Sequence, residues 1–153
     1  MDQSELRAAI RALARLTRLL DHTDTGLSLP QYRLLALVDR GDKRSSRLAS
    51  RLVVTRPTVT ALADGLVAAG YLTRIREPRD GRVVRLGPTQ AGRTALEHAD
   101  TALADRFAPL FGATSNPDAL LALLGQAGAA LDTAGQRTPT DTPPAAPMSQ
   151  VAG

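Results

Sequence analysis

The dipeptide Asp80–Gly81 narrows the possible folds of this chain more than any other feature. It lies in EPRDG, between the strand-like runs YLTRIR (71–76) and VVRL (83–86). Asp-Gly is a strong hairpin turn because the turn needs positive φ, so two short antiparallel strands are expected here. Arg74, Arg76, Arg79, Arg82 and Arg85 all fall on this one ribbon. Like charges held close repel, and the tip of a hairpin has no core to rest on. Structural need alone does not explain five arginines.

Helical patterns flank the hairpin. Leu6, Ile10, Leu13, Leu16 and Leu20 recur at spacings of three and four, which predicts a helix over 4–20 with Ser4 as its N-cap. Ser28 with Gln31 reads as a capping box and Pro30 suits a first turn, so a second helix runs to about Asp39 and stops at Gly41. SSRLASRL is a short third helix capped by Ser45 or Ser46. Thr55 caps a fourth, with Val59, Leu62, Leu66 and Ala69 buried and Gly70 ending it. Thr89 caps a fifth over 89–111, with Leu96, Ala99, Leu103 and Phe107 on one face. Ser115 or Asn116 opens a sixth over 117–134. From Gly135 onward the chain is aperiodic and rich in Pro, Thr and Ala, the composition of a disordered tail.

The fold class is therefore mainly α with a small β-hairpin. Two helices joined by a tight turn and followed by a hairpin make a winged helix-turn-helix. Charge is distributed to match. Residues 40–85 hold 11 basic and 4 acidic groups, net +7, whereas the whole chain is only +4. A basic middle between mildly acidic ends suits a polyanion that docks on the middle alone.

On the fourth helix, burial of the apolar stripe leaves Arg56, Thr58, Thr60, Ala61 and Asp64 near the free surface. With Thr55 at the helix start and Ser46 on the third helix, these are residue types that suit entry into a major groove. Hydroxyls reach phosphates or base edges, Arg bridges guanine, and a Thr methyl meets a thymine methyl. On the hairpin, Arg76, Arg79 and Arg82 fit a minor groove, whose negative potential draws in arginine. Asp80 and Gly81 shape that wing, with Asp80 holding Arg82 in a charge-assisted pair.

These motifs together resemble the multiple antibiotic resistance regulator (MarR) family of winged-helix transcription factors. The resemblance covers about residues 5–134 and rests on LSLPQYRLLALV, RLASRLVVTRPTVTALADGLVAAGYL and PRDGRVVRLGPTQAG. The last contains the family's Asp-x-Arg wing and its Thr-x-x-Gly helix start. The resemblance implies a homodimer, with a dimerisation helix in 1–27, the DNA-binding domain in 28–88, further dimerisation helices in 89–134 and a tail in 135–153. It implies double-stranded DNA as partner, a pseudo-palindromic operator, and a small aromatic or anionic effector in a cleft lined by Arg15, Tyr32, Phe107 and Phe111. Three positions depart from the family pattern: Val53 where the turn often has Gly, Gly65 where many relatives carry Arg, and Gly87–Pro88 before Thr89 where relatives usually show Leu.

The chain has no cysteine, which excludes disulfides and thiol redox sensing. His22 and His98 are its only histidines, in separate segments, so no metal or other cofactor is expected. No catalytic constellation is assembled, and the expectation is a non-enzyme. The polar N-terminus and the lack of a long apolar run suggest a cytoplasmic protein without membrane contact. Two other readings stay open: a winged helix used as a protein-interaction module, and a small helical enzyme. For the apolar end helices, the alternative to a dimer is a monomeric helical bundle.

Overall fold

Helices and hairpin form where the periodicities change, in the order α1 (Gln3–Asp21), α2 (Leu29–Asp39), α3 (Ser45–Leu52), α4 (Arg56–Ala68), β1 (Leu72–Glu77), β2 (Asp80–Pro88), α5 (Gln90–Gly112) and α6 (Pro117–Gln136). The structure is a computed structural model and describes residues 2–41, 44–77 and 80–136. Lys43, Arg79 and the tail from 137 lie outside the described residues. For Asp80, Gly81 and Arg82 the backbone is described and the side chains are not.

The helix ends follow local chemistry, with two departures from expectation. Ser28 and Gln31 form the capping box, and Thr55 caps α4. At α1, however, the cap is Asp2 rather than Ser4. Its carboxylate accepts the Ser4 N–H at 3.1 Å, since an anion at the positive helix end outcompetes a hydroxyl. At α3, neither Ser45 nor Ser46 is the cap. Arg44 occupies that position without a side-chain bond, because its extended backbone is bridged to Arg85 of β2. The chain thus enters α3 from the base of the wing. Asn116 caps α6 through the Ala119 N–H at 3.1 Å, and that helix runs on to Gln136, two residues past its expected end.

The core gathers Leu34, Leu35 and Val38 of α2, Leu48, Ala49 and Leu52 of α3, and Val59, Ala63 and Leu66 of α4, closed by Leu72, Leu86 and Leu96. On α4 the stripe is Val59–Ala63–Leu66. Leu62 is half-buried, and Ala69 is exposed because the helix has ended there and Gly70 turns the chain at φ +77°. Gly65 sits in this helix with only Gln31 Nε2 near a would-be Cβ, at 3.7 Å. Gly65→Ala should therefore stabilise the fold by about 1 kcal/mol from helix propensity alone. A denaturation midpoint that does not rise would contradict this.

The hairpin pairs Leu72 with Pro88 through Arg76 with Val84, then shifts so that Glu77 faces Asp80. Asp80 is thus a paired residue of β2 and not the tip of the turn. The irregularity absorbs the three residues between Asp80 and Val84. Residues 78 and 79, which separate the strands, are outside the described residues.

The turn between α3 and α4 is closed by a Schellman arrangement. Val53 N–H reaches Ser50 O at 3.2 Å, and Val54 N–H reaches Ala49 O at 3.1 Å. This puts Val53 in the left-handed region at φ 56°, ψ 48°, the only non-glycine residue with positive φ among those described. A β-branched side chain there costs on the order of 1–3 kcal/mol.

The remaining helices differ in how much they bury. Gly92, Leu96, Ala99, Leu103 and Phe107 of α5 are buried, while α1 buries nothing. Leu6, Ile10 and Leu13 of α1, and Leu121, Leu123, Leu124 and Leu131 of α6, face solvent. No helix of the described residues is long and apolar enough to cross a membrane.

Candidate nucleic-acid interface

Because Val59, Ala63 and Leu66 lock one side of α4 into the core, the opposite side of its first turns is presented outward. Arg56, Thr58, Thr60 and Ala61 are all exposed, as is Ser46 in the first turn of α3. Their hydroxyls are not equivalent. Thr55 Oγ1 accepts the Thr58 N–H at 3.4 Å and lies 2.8 Å from Thr58 Oγ1. One hydrogen bond joins the two hydroxyls, so the pair retains one proton to donate outward. Thr60 donates its proton to Arg56 O at 3.1 Å, leaving its methyl and an oxygen lone pair for a ligand.

The arginines of the wing divide between its faces. Arg74 and Arg76 alternate with Thr73 and Ile75, while Arg85 stands opposite Ile75. Arg74 pairs with Asp64 of α4, tying the wing root to the helix; both side chains are largely in water, so the pair contributes little stability. Arg76 is exposed. Arg85 instead joins Gly41, Arg44 and Arg47 around a concavity of about 200 Å³. Sequence reasoning missed this grouping because the Arg44–Arg85 strand bridge is non-local. It likewise missed the tie between Arg74 and Asp64.

A second feature lies between α1, α2, α5 and α6. A cavity of about 450 Å³ is walled by Leu16, Leu20, Tyr32, Leu103, Phe107 and Phe111, with Leu13 and Leu124 at its margin. The two Phe rings are tilted at 58° with centroids 5.5 Å apart. Arg15 is exposed and is not part of this wall, because the helix turns it away from Leu13, Leu16 and Leu20. Tyr32 carries the main polar group of the wall. Its hydroxyl donates to Asp100 Oδ1 at 2.7 Å, linking α2 to α5.

The MarR family model matches residues 25–83, from the loop before α2 into β2. The chain is 32% identical over 110 residues to YpoP of Bacillus subtilis (strain 168), an uncharacterised HTH-type transcriptional regulator, covering 71% of this chain and 77% of that one. The chain belongs to the MarR family. YetL of the same organism, an HTH-type transcriptional repressor, is 37% identical over 75 residues, 47% of this chain and 45% of that one. Among solved structures, the MarR-like fold is matched by the transcriptional repressor CouR bound to a 23-mer DNA duplex, with a TM-score of 0.69 and 27% identity over 85% of this chain and 97% of that one.

Within this MarR chain, the Tyr32–Asp100 bond has a measurable consequence. Burial, then the hydrogen bond to Asp100, pushes the Tyr32 phenol up to about 12 from an ordinary 10. The folded state thus holds the proton more tightly than the unfolded state does. The stabilisation is complete below pH 10 and is lost as pH rises toward 12. Tyr32→Phe should lose about 1 kcal/mol at neutral pH and show a shallower fall in stability between pH 10 and 12. Identical alkaline limbs in denaturant titrations of the two proteins would contradict the assignment.

Proposed function

We propose that two copies of this chain bind one pseudo-palindromic operator in double-stranded DNA and repress transcription in the cytoplasm. The observation that carries this reading is the outward presentation of Arg56, Thr58, Thr60 and Ala61 on a helix whose other side is core. Two such helices would enter successive major grooves with half-sites roughly 34 Å apart. Thr55 holds the helix start, and the Thr55–Thr58 hydroxyl pair supplies one donor to a base edge or phosphate. Ser46 and the Arg44–Arg47–Arg85 concavity meet backbone phosphates beside the groove. Arg76, Arg79 and Arg82 grip the flanking minor groove, with Asp80 and Gly81 shaping the strand that carries Arg82.

The chain works as a homodimer. Residues 1–27 and 89–136 form the twofold region through the exposed leucines of α1 and α6, residues 28–88 read DNA, and 137–153 are dispensable. The apolar cavity holding Tyr32, Phe107 and Phe111 accepts an aromatic effector, and any negative charge on it must be met from outside that wall. Such a ligand changes the spacing of the two reading heads and lowers affinity, because both half-sites must fit at once. The protein needs no cofactor and catalyses no reaction.

Mobility-shift titration against the DNA upstream of its own coding region tests this. Arg56→Ala should cost about 1–3 kcal/mol on the operator and less on random duplex. Arg82→Ala should weaken binding and flatten the dependence on salt, since one cation no longer displaces a counterion. A wild-type chain that binds operator and random DNA equally would favour the protein-interaction module instead.

A further inference from the structure

Val53 is at odds with the turn it occupies. The Schellman closure of α3 demands a left-handed residue there, for which glycine is suited and a β-branched side chain is not. A strained residue is offset where its side chain packs well, yet Val53 is 87% exposed. The turn imposes the strain, and a side chain this exposed recovers little of it through packing. Strained backbone of this kind clusters at functional positions.

Its location supplies the function. Val53 stands two residues before Thr55, the cap of α4, and so within about 7 Å of chain from the helix end that carries Arg56 and Thr58. In a major groove the apolar group available to such a side chain is the thymine C5-methyl. We propose that Val53 is a specificity-determining residue that packs its two methyls against a thymine methyl at the edge of each half-site. The proposal rests on the operator-binding reading above and assigns that interface a preference no charged contact would provide.

The test uses the full chain and a duplex selected by it from a random pool. Val53→Gly should melt about 3–6 °C higher, because the strain is relieved. It should also bind the selected duplex about 3- to 5-fold more weakly per half-site, with unchanged affinity for random duplex. Replacing thymines one at a time by deoxyuracil removes only the methyl. One position per half-site should weaken wild-type binding by the same factor and leave Val53→Gly binding unaffected. Val53→Ala, which keeps a Cβ in the left-handed region but lacks both methyls, should lose the same affinity. Unchanged affinity in Val53→Gly, an equal loss on random duplex, or effects that add at every thymine would overturn the proposal. So would a lower melting temperature in Val53→Gly. A wild-type chain that selects no sequence would instead overturn the operator-binding reading itself.

Discussion

Gly92→Ala should destabilise the protein by about 3 kcal/mol, among the larger effects of adding one methyl group. Thr89 knots four elements at this point. Its N–H donates to Tyr71 O at 3.0 Å, its hydroxyl donates to Gly70 O at 2.6 Å, and its Oγ1 accepts the Gly92 N–H at 3.0 Å. The end of α4, the approach to β1, the exit of β2 and the start of α5 are held together by one residue. Gly92 is buried against that knot, and a Cβ built on it would lie 2.0 Å from the Tyr71 carbonyl oxygen. The obstacle is backbone and cannot rotate away. Either the Thr89 bonds break or α5 moves off the core, uncovering Leu96. The fall in melting temperature should be roughly 10 °C for a chain of this size. A variant within about 1 kcal/mol of wild type would show that the junction yields without cost. The Thr-x-x-Gly spacing is thus a steric requirement as well as a helix start.

Ile10→Asp should convert a dimer into a monomer and cut operator affinity by about 100-fold or more, because the second half-site no longer binds at a high effective concentration. Ile10 is 55% exposed in the single chain, in line with Leu6 and Leu13, on a helix that buries nothing of its own. Leu121, Leu123, Leu124 and Leu131 of α6 are likewise exposed. Large apolar side chains left in water on two helices mark an association surface. A buried carboxylate without a partner costs several kcal/mol, which a twofold interface would incur twice. In the isolated chain the same substitution faces water and should leave the core of α2, α3 and α4 intact. Sedimentation velocity separates the outcomes. A wild-type chain that is monomeric at micromolar concentration, or an Ile10→Asp variant that remains dimeric, would remove the twofold from the mechanism.

Legibility in the sequence followed the range of the interactions. The capping box at Ser28 and Gln31, the caps at Thr55 and Thr89, and the stop at Gly70 were readable because each is settled within four residues. The exposed group Arg56, Thr58, Thr60 and Ala61 was readable too, since it is the complement of a helical stripe. Errors arose where a neighbour distant in sequence intervened. The bridge from Arg44 to Arg85 displaced the expected serine cap of α3. The shifted strand register moved Asp80 from the turn into β2. Helix rotation turned Arg15 away from the cavity that Tyr32 and Phe107 line.

By itself, then, the sequence determined the helices, the hairpin, the concentration of positive charge in residues 40–85 and the side of α4 left free. Those follow from periodicity, capping and composition, which act within one turn or one strand pair. Only the tertiary structure decided that Arg85 joins Arg44 and Arg47 while Arg74 pairs with Asp64, that Tyr32 reaches Asp100, and that Gly92 must be glycine. Those depend on which backbone approaches which across the core, and packing of separate elements sets that distance.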